Sequence, residues 1–113
     1  MKPNDIPHDA DGDAIRRVLS LGADVSRPMK IDFQIAAPSE DAGKRIAVAA
    51  TAKRYDASLS RDKETGAWTC SCSRTMLLGY GALMLAQEEL DALSEPHGGY
   101  SDGWGTFGNV QKG

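Results

Sequence analysis

Few residues in this chain are equipped for chemistry. Asp9, Asp11 and Asp13 alternate like the opening of a calcium loop, in which oxygen ligands recur at every second position. That loop needs glycine directly after the third acid and a bidentate glutamate at its end. Here those positions hold Ala14 and Ser20. The aspartates suit instead the start of a helix, whose free backbone N–H groups attract carboxylates. Cys70 and Cys72 are the only cysteines, and His8 and His97 the only histidines. A structural zinc site wants four ligands at workable spacings; one C-x-C pair with two distant histidines does not supply them. Both cysteines read as core thiols on a strand. Arg74 is on the same strand face, but a nucleophilic Cys72 would also need a base. The sequence offers no Ser–His–Asp arrangement, no GxxxxGK[ST] phosphate loop and no carboxylate pair placed for acid/base work. No catalytic residue, metal, cofactor or small-molecule substrate is therefore expected.

The most specific local feature lies near the chain end, in Gly98-Gly99-Tyr100-Ser101-Asp102-Gly103-Trp104-Gly105-Thr106-Phe107. Asp before Gly favours a turn, glycine lets backbones approach closely, and a tryptophan buries a large area. Asp102, Gly103, Trp104, Gly105 and Thr106 are the candidate site. They read as a structural latch that locks the chain end onto a sheet. The second reading is a partner surface, since Trp and Tyr make binding hot spots.

The elements that must position these residues follow from periodicity. The chain has 113 residues, 41% hydrophobic and 26% charged, ordinary for one globular domain. Ile15, Val18 and Leu19 have helical spacing. With Asp11 as N-cap and Gly22 as stop, they predict a helix over 12–21. Ile31, Phe33 and Ile35 alternate with Lys30, Asp32 and Gln34, a half-buried strand. Ser39 caps a second helix reaching Lys53, with Glu40 and Asp41 in its first turn. Tyr55, Ala57 and Leu59 share a face of the next strand. A charged loop ending at Gly66 leads to Ala67–Arg74, where Trp68, Cys70 and Cys72 alternate with Thr69, Ser71 and Ser73. A third helix fits Thr75–Ser94, with Gly79 and Gly81 weakening its start. Residues 1–11 and 108–113 are expected to be loosely held, and 12–107 to form the single domain.

Strand–helix–strand–strand–helix–strand is the order of a ferredoxin-like α+β sandwich: an antiparallel sheet, helices on one face, here with an extra N-terminal helix. RNA-binding sheets of this kind stack bases on aromatics of the open face. The open face expected here shows Lys30, Asp32, Gln34, Thr69, Ser71 and Ser73, with no aromatic. The net charge is −3, where a nucleic-acid footprint wants a basic domain. Direct nucleic-acid binding is not expected. Residues 75–113 carry five acidic side chains and one basic, a charge balance that reads first as a solvated surface, with a basic protein partner as the alternative. There is no run of 18 apolar residues for a membrane helix and no apolar leader. Unpaired thiols fit a reducing compartment, so the expected location is cytoplasmic.

The Gly98-Gly99 pair, the Asp102-Gly103-Trp104-Gly105-Thr106 segment and the element order before them resemble the RraB family, regulators of ribonuclease E activity. Gly22-Ala23-Asp24, Arg27-Pro28 and Gly66-Ala67-Trp68 are similar too, so the likeness spans roughly 12–107. Family members usually carry Tyr directly before the Asp; here that place holds Ser101, with Tyr100 one earlier. The resemblance implies a ferredoxin-like domain and a non-catalytic inhibitor that binds ribonuclease E, largely at its scaffold region, and so modulates RNA decay. A family member reused for another protein partner, in immunity or stress response, is the alternative.

Overall fold

The computed structural model describes residues 8–106 and 108–109. Helix α1 runs Ala10–Ser20. Its cap is Asp9, not Asp11: Asp9 is extended, and its carboxylate accepts the Gly12 N–H at 2.7 Å. That starts the helix ahead of the expected residue 12 and puts Asp11 inside the first turn. Strand β1 (Met29–Ala37) alternates as its sequence requires, with Met29, Ile31, Phe33 and Ile35 buried. Helix α2 (Glu40–Ala52) is capped by Ser39, whose hydroxyl accepts the Ala42 N–H at 3.1 Å. It closes through Arg54, which sits at φ 70° in the left-handed place usually given to glycine. Strand β2 (Asp56–Arg61) and strand β3 (Trp68–Met76) form a hairpin. Helix α3 (Tyr80–Ser94) begins later than Thr75, because β3 stays paired with β1 as far as Met76 and Gly79 is extended. A 3-10 turn over Glu95–His97 leads to strand β4 (Tyr100–Thr106).

The sheet order is β2-β3-β1-β4 and every neighbouring pair is antiparallel. That is the ferredoxin-like arrangement. One core fills the space between sheet and helices. Ile15 of α1, Ile46 of α2, and Leu83 and Leu90 of α3 are fully buried against Ile31, Phe33, Ile35, Cys70 and Cys72. Phe33 and Tyr55 meet edge to face, with centroids 6.1 Å apart, the geometry that aromatic quadrupoles favour. Gly99 is where the chain turns into β4 with no room for a side chain. A Cβ there would lie 2.7 Å from Ile46 Cδ1 and 2.9 Å from the Ala36 carbonyl. Of the segments expected to be loosely held, residues 1–7 and 110–113 lie outside the described residues, as does Phe107.

Candidate partner-binding surface

The segment singled out by sequence is the edge strand β4, paired only with β1. Phe33 faces Trp104 and Ile35 faces Ser101, so Asp102 and Gly103 together oppose Gln34. This is a β-bulge, in which one extra residue reverses the alternation of faces. Gly103 carries it at φ +103°, a conformation that side chains resist. The reversal decides where the aromatics go. Trp104 lies with Phe33 on the helix side. Tyr100, opposite Ala36, stands on the open face and is 57% exposed. The open face thus holds one aromatic that the sequence reading did not place there.

Trp104 packs against the core, and its indole N–H donates to Asp11 Oδ1 at 3.0 Å. The tryptophan is therefore tied to the first turn of α1. The other aspartates of that turn are engaged as well. Asp9 accepts the Tyr80 hydroxyl as well as its cap N–H, and Asp13 pairs with Arg16 at 3.0 Å. The Tyr80 bond, then the Gly12 N–H, hold the Asp9 carboxyl below its ordinary pKa. The same bond raises the Tyr80 phenol. What looks like a calcium loop in sequence is a set of three tethers, to α3, to β4 and to α1 itself.

The remaining motif residues divide. Thr106 donates its hydroxyl to the Lys30 carbonyl at 2.7 Å and accepts the Gly108 N–H at 3.0 Å. Asp102 is exposed. Gly105 faces Asp32 on the open side, where a Cβ would meet nothing within 4 Å. Beyond the motif, Asn109 binds the 24–28 loop. Its amide donates to the Asp24 and Arg27 carbonyls at 2.8 and 3.1 Å, and its Oδ1 accepts the Asp24 N–H at 2.9 Å. No sequence argument singled out Asn109; its partners lie 81–85 residues away.

The open face is a field of small polar groups. The register sets Asp32 beside Ser73 and Asp56, Gln34 beside Ser71 and Ser58, and Lys30 beside Thr75. Ser71 donates to Gln34 Oε1 at 2.8 Å. A lone Tyr100 at one edge is not the row of rings on which bases stack.

The cysteines are fully buried and free, with their sulfurs 3.8 Å apart. The contact with Cys70, then burial, push the Cys72 thiol far up, which keeps it protonated and unreactive. His97 lines a cleft with Pro38, Ser39 and Arg45 at the end of α3, and His8 precedes α1. Among the described residues no three His, Cys, Asp or Glu side chains gather as a metal site. No helix there is long and apolar enough to cross a membrane.

Compared with known protein families, residues 8–106 match the model described as regulator of ribonuclease activity B, RraB. The match begins just before α1 and ends on the last residue of β4. Among curated proteins none matches the chain.

Proposed function

The chain belongs to the RraB family, regulators of ribonuclease activity, and from that premise we propose that it is a non-catalytic cytoplasmic protein that binds ribonuclease E. Binding is to the scaffold region outside the catalytic domain; it inhibits cleavage and so modulates RNA decay. The observation that carries this reading is the extent of the family match, which takes in every element from α1 to β4. The buried free thiols suit a reducing compartment.

In this reading Asp102–Thr106 works as a latch. Gly103 makes the bulge, Trp104 clasps α1 through Asp11, and Thr106 fastens the strand end. An indole whose N–H is already spent inside the fold has less to offer a partner. The segment then serves binding by holding α1, α3 and the sheet in one shape, and the working unit is one domain that takes in every element from α1 to β4.

The test is direct binding to immobilised ribonuclease E, full length and catalytic half alone. Binding to the full-length enzyme only is expected. Binding to the catalytic half with equal affinity would move the contact off the scaffold. No binding to either would overturn the assignment in favour of a family member directed at another protein.

A further inference from the structure

The outer side of α3 carries exposed apolar and acidic side chains and no basic one. Tyr80–Ser94 contains no Lys or Arg. Gly81, Leu85, Glu88 and Ala92 follow one another at four, three and four residues and are all exposed, so they form one stripe along the helix. Its first half is apolar, with Leu85 69% exposed. Its second half is acidic, with exposed Glu88 and Asp91 followed by Glu95.

A cleft of about 250 Å³ borders the apolar half, walled by Met76, Ala82, Leu85 and Ala86. Its polar end is Tyr55, Arg74 and Glu89. Tyr55 is only 3% exposed, yet its hydroxyl makes no hydrogen bond, and neither does Glu89 Oε1. The Arg74 guanidinium stacks 3.7 Å from the Tyr55 ring centroid, donates to the Lys53 carbonyl and stays 3.7 Å from Glu89. The polar end of the cleft is thus occupied by its own residues, with Glu89 ion-paired to Arg74, and the apolar walls are what an occupant would cover. On the other flank of α3 a second cleft, of about 300 Å³, lies between Gln87, Asp91 and Ser101. There Gln87 Nε2 and Ser101 Oγ are again buried without partners.

We propose that the exposed stripe of α3 and the Met76–Ala82–Leu85–Ala86 cleft form the docking surface for a basic amphipathic segment of a protein partner. An apolar side chain of that segment enters the cleft between Met76, Ala82 and Leu85, and its Lys or Arg residues lie over Glu88, Asp91 and Glu95. Helix-in-groove recognition uses apolar anchors of this kind, and the charges select the partner and its orientation. A second copy of the chain is disfavoured as occupant, because two α3 faces would bring acid against acid. The proposal rests on the reading that the protein acts by binding another protein, and holds whether or not that partner is ribonuclease E.

The probe is a synthetic helical peptide of Leu and Lys on opposite faces, titrated into the isotope-labelled protein while amide shifts are followed. A Leu/Glu peptide of the same pattern is the control. The Leu/Lys peptide is expected to shift amides of residues 76–92. Leu85→Lys should weaken it at least tenfold with an unchanged melting temperature. Ser58→Lys, which puts the same charge on the opposite face of the sheet, should bind like the wild type. Shifts on the open face, equal binding of the Leu/Glu peptide, or an unaffected Leu85→Lys would overturn the proposal. Running the same variants against ribonuclease E separates the two readings. Peptide binding at α3 without enzyme binding leaves the surface standing and removes the enzyme as partner. Enzyme binding undisturbed by Leu85→Lys does the reverse.

Discussion

Gly103 and Gly105 flank the same tryptophan, yet the structure gives them different work, and replacing each with alanine separates the two. At Gly103 the backbone sits at φ +103° and a Cβ would touch nothing within 4 Å. The whole penalty of Gly103→Ala is thus backbone strain, about 1–2 kcal/mol for an L-residue forced into the left-handed region. At about 2.1 cal/mol/K of unfolding entropy per residue, that lowers the melting temperature of a chain this size by about 4–8 °C. Gly105→Ala meets neither strain nor a clash. Restricting the unfolded chain should instead stabilise the fold by about 0.4–1 kcal/mol, a rise of about 2–4 °C. Thermal and urea unfolding of both variants against the wild type make the comparison. Equal destabilisation by the two substitutions, or none at position 103, would refute the bulge as the reason for glycine there.

Other expectations follow from the same geometry. Trp104→Ala removes a half-buried ring and should cost about 2–3 kcal/mol, at or below the low end for fully buried aromatics. Trp104→Phe, which gives up chiefly the bond to Asp11, should cost about 1 kcal/mol; calorimetry distinguishes them. Gly99→Ala drives a Cβ toward Ile46 and the Ala36 carbonyl and should destabilise by about 1–3 kcal/mol, read by urea midpoints. Arg54→Gly relieves a left-handed residue and should stabilise by about 1 kcal/mol. Burial, opposed in part by Arg74, pushes the Tyr55 phenol up to about 12 from an ordinary 10. A raised folded pKa means this contribution is complete below the unfolded value and is lost as pH climbs from there toward 12. Urea midpoints across that window should therefore fall, with a shallower slope in Tyr55→Phe.

Local patterns were legible where one periodicity governed one element. The alternation at 30–35 and 68–73 placed Ile31, Phe33, Ile35, Cys70 and Cys72 inward and Asp32, Gln34, Ser71 and Ser73 outward, as the register has them. Ser39 announced α2 because its cap bond spans only three residues. The start of α1 is not fixed locally, because Asp9 and Asp11 are equally good caps by type and the choice is settled by distant groups. Tyr80 draws on Asp9 and Trp104 on Asp11, across 71 and 93 residues. The late start of α3 agrees with the weakening by Gly79 and Gly81, and Thr75 and Met76 belong to β3 through pairing with β1. Strict alternation along β4 would put Tyr100, Asp102 and Trp104 on one face; the bulge at Gly103 moves Tyr100 to the other. The clefts beside α3 depend on how neighbouring elements splay, which no local pattern encodes.

The central claim is that this fold regulates a ribonuclease by binding it. Its most direct test is cleavage of a defined RNA by ribonuclease E with the protein titrated in, using the full-length enzyme and the catalytic half in parallel. Dose-dependent inhibition of the full-length enzyme and none of the catalytic half is expected. Undiminished cleavage by the full-length enzyme, with a folded protein present in excess, would contradict it.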